Sequence, residues 1–178
     1  MYFYGYGREK GIDPYYYILY EAHLDRPNAL RLLTPENASH EVSISPSCRY
    51  LVDSYSTVSQ EPVNVVRNRN GKVIMKPDLQ PVYEMGWKAP ERFKVKAADG
   101  VTDLYGVMWK PADFDSTKVY PIISNVYPGP FFEYVPTRFT INDVYNTRLA
   151  QLGFIVITVG HRGGTPMRGK AYHTYGYN

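Results

Sequence analysis

Cysteine is nearly absent from this sequence: Cys48 stands alone among 178 residues. That excludes an internal disulfide and any multi-cysteine metal site, and leaves the redox compartment open. No apolar run approaches the roughly 20 residues that a bilayer-crossing helix needs, and Met1 to Gly7 lack the basic and apolar regions of a signal peptide. The abrupt start inside a strand-like run reads as a cut through a longer chain. Basic runs are missing too. The 20 basic and 17 acidic residues are spread along the chain with a formal charge of +3, which is not the footprint of a nucleic-acid-binding protein.

Several reactive patterns are also lacking. None of the nine serines stands in a Gly-x-Ser-x-Gly elbow, the strained turn that exposes a nucleophile above a sheet. Gly5-Tyr6-Gly7 and Gly163-Gly164 do not have the spacing of a phosphate loop between strand and helix. His23, His40 and His173 are too scattered for metal-ligand spacing, so zinc is not expected. No cofactor of any kind is expected. Asn37-Ala38-Ser39 fits a glycosylation sequon, a short match with little weight.

What is abundant is tyrosine, 18 residues that with seven Phe and two Trp bring aromatics to 15%. Such side chains suit half-buried pleated surfaces, and the pattern of the first 75 residues agrees. Tyr15 to His23 and Ala29 to Thr34 read as a hairpin around the turn at residues 25–28, with Leu30 and Leu32 alternating against Arg31. Glu41 to Ser45, Tyr50 to Tyr55, Val63 to Arg67 and Lys72 to Met75 follow, the last two flanking an Asn-Gly turn at residues 68–71. These strands amount to about one propeller blade plus part of another, and a single blade cannot bury both faces by itself.

Residues 77–92 are punctuated by Pro77, Pro81 and Pro90, with room only for a helical turn around Val82 to Trp87. A domain junction is placed here, dividing the chain into residues 1–84 and 85–178. Beyond it, Phe93 to Ala97 and Asp103 to Lys110 form an antiparallel pair across Asp99-Gly100, and Tyr120 to Val126 forms a further strand. Ile141 to Leu152 places Ile141, Val144, Tyr145, Leu149 and Leu152 on one helical face, with Thr140 and Asp143 as a capping box and Gly153 as the stop. Phe154 to Val159 reads as a strand buried on both faces. Strand, helix and parallel strand make this end α/β, with a parallel edge left bare. The fold class is therefore mixed β and α/β.

The ordered series Arg8 to Tyr16, His40 to Pro46, Asp99-Gly100, Leu104-Tyr105-Gly106, Lys110-Pro111, Tyr120-Pro121, Tyr127-Pro128-Gly129-Pro130, Leu152-Gly153-Phe154 and Arg162 to Pro166 resembles the dipeptidyl-peptidase-IV-like serine peptidases of the prolyl oligopeptidase group. The resemblance covers nearly the whole chain. It implies the last blade of a β-propeller followed by an incomplete α/β-hydrolase sheet, truncated before the catalytic serine, aspartate and histidine. It further implies a peptide substrate, release of amino-terminal X-Pro or X-Ala dipeptides by the complete enzyme, and a periplasmic or secreted location. A homodimeric complete enzyme stays open, as does an endopeptidase or acylaminoacyl-releasing activity, and the chain alone is expected to be inactive.

One catalytic residue is carried over by the resemblance. Tyr127 matches the tyrosine that donates its hydroxyl to the oxyanion of the tetrahedral intermediate, with Pro128 and Gly129 shaping its loop. Arg162 lies in Gly160-His161-Arg162-Gly163-Gly164, which departs from the commoner Asp-Gly-Arg-Gly form by lacking a carboxylate. Its counterpart is structural, and ion pairing there is left open. His161 has no nucleophile near it in the pattern and reads as a solvated loop residue. Two other readings stand beside the peptidase: a non-catalytic tyrosine-rich β module binding peptide or carbohydrate, and one half of a split peptidase.

Overall fold

The structure is a computed structural model, which describes residues 1–26, 29–68, 72–143 and 145–177. The expected turns through residues 27–28 and 69–71, and the helical position 144, lie outside the described residues. The described chain is mostly β-sheet with few helices.

Three sheets follow one another. The first is the antiparallel order β1 (Tyr2–Gly5), β2 (Ile18–Ala22) and β3 (Leu30–Leu32). β2 is wholly buried over Ile18, Leu19 and Tyr20, which explains why this run is uninterrupted by charge until Glu21. The second is a four-stranded antiparallel meander, β4 (Ser39–Ile44), β5 (Leu51–Ser56), β6 (Val63–Arg67) and β7 (Lys72–Met75), in sequence order. A four-stranded meander beside a three-stranded antiparallel sheet is consistent with a propeller-like amino-terminal region. The two are stitched where His40 N–H donates to Tyr17 O at 3.0 Å and Leu19 N–H donates to the buried Thr34 hydroxyl at 2.8 Å.

A short helix, α1 (Gln80–Glu84), with Pro81 in its first turn, occupies the proline-punctuated segment. The third sheet contains β8 (Glu91–Lys96), β9 (Asp103–Trp109), β10 (Ile122–Ser124) and β11 (Ile155–Val159) in the order β10-β11-β9-β8. β10 and β11 are parallel, joined through α2 (Asn146–Gln151), whereas β11-β9 and β9-β8 are antiparallel. β10 thus stands at the edge, with Ile122 63% exposed.

Two local expectations are corrected. The helix expected over Ile141 to Leu152 is confined to Asn146–Gln151. The side chains that face inward are Asn146 and Ala150, with Leu149 packed beside them, whereas Ile141, Tyr145 and Leu152 are exposed. Asp143 accepts from Asn146 N–H at 3.1 Å and so ties down the helix start, while Thr140 accepts from Asn142 N–H in its own turn instead of capping the helix. Gly153 ends α2 at φ +96°, as the stop signal required. β11 is not sealed on both faces: Val156 and Thr158 are fully buried, but Ile155, Ile157 and Val159 are half-buried because α2 packs on one side only.

The core under that covered face crosses the predicted junction. Val107, Trp109, Val156, Ala150 and Val135 pack with Tyr15 and Val58 from the amino-terminal part. Arg92 on β8 makes a two-pronged bond to Asp13 at 2.8 and 3.0 Å, and Asp13 also accepts from Tyr15 N–H. The Asp13-Pro14-Tyr15 motif therefore ties the amino-terminal sheets to the mixed sheet.

Candidate active-site loop

Tyr127 lies on the loop that leaves the carboxyl end of β10. Its ring is 58% exposed and meets Phe132 edge-on at 5.3 Å between centroids. Gly129 folds back against the same ring: a Cβ there would fall 2.8 Å from Tyr127 Cε1, so a side chain at 129 would displace the Tyr127 ring from this position. The phenol oxygen has no hydrogen-bond partner among the described residues, which leaves its O–H free to donate outward.

The base of the loop is pinned at several points. His161 Nε2, at the end of β11, donates to Gly129 O at 3.3 Å. The buried Glu133 carboxylate accepts from Tyr15 O–H through Oε2 and from His161 N–H through Oε1 at 3.2 Å. Thr158 O–H donates to Tyr134 O. His161 is accordingly not the solvated loop residue expected from sequence, since both its backbone and its ring hold the loop.

A cluster of aromatic rings and cations surrounds Glu133. Tyr172 Oη lies 3.5 Å from Tyr15 Oη. Arg168 sits over the rings of Tyr15, Tyr105 and Tyr172 at 5.5, 5.0 and 4.6 Å, and donates twice to Asp103 O. Arg92 covers Tyr15 and Tyr105 from another side at 5.2 and 5.5 Å. Burial, followed by the hydrogen bond to Glu133, drives the Tyr15 hydroxyl far above the ordinary tyrosine range, and burial pushes Tyr172 up to about 12. Both therefore remain neutral donors. Beside them opens a cavity of about 610 Å³ lined by Tyr15, Phe131, Glu133, Tyr134, Asp143 and Met167, among others.

Arg162, whose pairing the sequence left open, donates to Asp99 at 2.7 Å and lies 3.6 Å over the Tyr175 ring. Asp99 is held well below the usual carboxylate range, chiefly by the Thr102 hydroxyl and the Thr102 and Val101 amides, with Arg162 contributing least. It shapes the β8-β9 turn, so the role of Arg162 here is structural.

The histidine spacing gives no metal-ligand pattern, yet folding brings His40 into a cluster that spacing does not reveal. Glu36, His40 and Asp53 offer ligand atoms within 4.8 Å of one another. Arg67 occupies the cationic position among them, donating to Asp53 and Glu36 at 2.7 Å each, while His40 Nδ1 lies 3.0 Å from both Asp53 oxygens. A guanidinium between two carboxylates does there what a metal ion would do, so the set fits a structural ion-pair network.

The family described as the dipeptidyl peptidase IV (DPP IV) N-terminal region matches residues 1–62. Over 153 residues the chain is 32% identical to a protein of Aspergillus oryzae named "Probable dipeptidyl-aminopeptidase B", covering 82% of this chain and 17% of that one. It is 26% identical over 166 residues to dipeptidyl peptidase 8 of Mus musculus, covering 85% and 18%, and 26% identical over 164 residues to the Homo sapiens protein of the same name. The chain spans less than a fifth of the length of these relatives.

Proposed function

We propose, from the premise that this chain is a dipeptidyl-peptidase-IV-like segment, that it forms part of a serine exopeptidase releasing amino-terminal X-Pro or X-Ala dipeptides through an acyl-enzyme. Residues 1–84 are the end of its propeller, and residues 85–178 are the opening of its α/β-hydrolase sheet. Tyr127 is the oxyanion donor. The observation that carries this reading is the placement of Tyr127: an exposed, unpartnered phenol at the carboxyl end of a parallel edge strand, on a loop braced from below. Active sites of open α/β sheets lie at that edge.

A neutral O–H held there stabilises the negative charge that develops on the substrate carbonyl oxygen in the transition state, at no cost of reorganisation. It supplies no nucleophile and takes up no proton, so hydrolysis needs a serine, a base and an orienting carboxylate from outside these residues. The chain alone is accordingly inactive.

The test has two arms. The purified chain should neither turn over Gly-Pro chromogenic substrates nor be labelled by a fluorophosphonate, and stoichiometric labelling would overturn the assignment. In a longer chain that continues into a Gly-x-Ser-x-Gly segment, Tyr127→Phe should lower kcat roughly 100- to 1,000-fold, with KM little changed. An unchanged kcat would remove Tyr127 from the mechanism.

A further inference from the structure

Glu133 is 8% exposed, and a buried carboxylate is costly unless its oxygens are satisfied. Here both are. Oε2 accepts from Tyr15 O–H, on the segment before β2, and Oε1 accepts from His161 N–H, just past β11. One side chain thus ties the Tyr127 loop to two distant parts of the chain. The backbone around it is cut to fit. A Cβ on Gly160 would fall 2.6 Å from Glu133 Oε2 and 2.7 Å from Tyr15 Oη, and one on Gly164 would collide with Glu133 Cγ and fall 2.7 Å from the His161 ring. Gly160 and Gly164 leave the space that this carboxylate fills.

The residue before Glu133 carries the consequence to Tyr127. Phe132 supplies the ring that meets Tyr127 edge-on, and His161, held through its amide by Glu133, uses its ring to hold Gly129, which lies against the Tyr127 ring. We propose that Glu133 is a positioning residue, a buried latch that fixes the 127–135 loop to the carboxyl end of β11 and thereby sets where the Tyr127 hydroxyl points. Its catalytic meaning rests on the reading of Tyr127 given above. The latch itself is a property of this chain.

The test is limited chymotrypsin digestion of the chain, with cut sites mapped by mass spectrometry, alongside amide exchange at His161 and thermal unfolding. Cleavage after the exposed Phe131 and Phe132 requires the loop to lift. Glu133→Ala should accelerate cuts at 131–134 and exchange at His161 about tenfold or more, while sites in β4–β6 keep their rates. Glu133→Gln, which retains one acceptor oxygen and the side-chain shape, should fall between the two. Gly160→Ala leaves the carboxylate in the sequence but evicts it from its seat, and should loosen the same residues.

Uniform acceleration throughout the chain would reduce Glu133 to a general stabiliser and overturn the latch, as would unchanged cutting at 131–134 in Glu133→Ala. Protected loop residues in Gly160→Ala would do the same. These measurements read the latch without any turnover. A Tyr127→Phe variant with undiminished kcat would therefore sink the functional reading and leave the latch standing.

Discussion

Asp53 shows how much one side chain can be asked to do inside a β-meander. It is completely buried on β5, and its two oxygens are shared between the Arg67 guanidinium at 2.7 Å and His40 Nδ1 at 3.0 Å. Removing the charge leaves a buried cation facing a neutral amide, and breaking one partner of a buried pair typically costs about 3–5 kcal/mol. Asp53→Asn should therefore lower the unfolding free energy by about 3 kcal/mol or more, measured by urea denaturation, because Glu36 can compensate only at the outer side of Arg67. Gly106 raises the same issue for packing. A Cβ there would fall 2.6 Å from the Thr158 carbonyl and would also strike the Phe93 ring, so the clash is with fixed backbone. Gly106→Ala should cost about 1–3 kcal/mol as overpacking between β9 and β11, read as a lowered denaturation midpoint.

At the scale of the elements, alternation and turn chemistry were enough to read most of the strands, because they carry a period of two and short polar, proline or glycine turns separate them. The β8-β9 hairpin is legible in this way: Asp99 accepts from the Val101 and Thr102 amides at 2.9 Å while Gly100 takes φ +71°. Helix α2 was less legible, since the apolar spacing of Ile141, Tyr145 and Leu152 suggested a helical stripe that the fold leaves exposed. The true anchor is polar. Asn146, fully buried, accepts from Asn125 at 2.8 Å and donates to Asp143, and apolar periodicity cannot register such a contact. Glu133 and Asp53 escaped for the same reason: their partners are 118 and 14 residues away or less, in an order that only the fold reveals. The edge was foreseen, and it has a consequence. β10 presents the exposed Ile122 at an edge that no other described strand pairs, with exposed Val126 just beyond its end, an arrangement that invites strand pairing between copies. Ile122→Lys should reduce concentration-dependent association in light scattering while barely moving the thermal midpoint, because that side chain is already in water.

Over the whole molecule, tyrosine links the parts. Tyr16 and Tyr20 belong to the cluster around β2, and Tyr172, reached through Tyr15, belongs to the mixed-sheet side. Burial comes first among the causes that raise each of these three to about 12, with Asp13 next for Tyr16 and Glu9 for Tyr20. In the unfolded chain a tyrosine ionises near 10. The folded state therefore holds these protons more tightly than the unfolded state between roughly pH 10 and 12, and in that window unfolding releases protons. The stabilisation is fully present below pH 10 and is lost as pH rises through 12. Denaturation midpoints should accordingly hold level up to about pH 10, as far as these groups are concerned, and then fall steeply. Phenolate absorbance from Tyr16, Tyr20 and Tyr172 should rise only together with loss of β-sheet circular dichroism. A single titration step near 10 with the sheet signal intact would mean that the rings joining the two regions are open to water, and the shared core around Tyr15 would have to be redrawn.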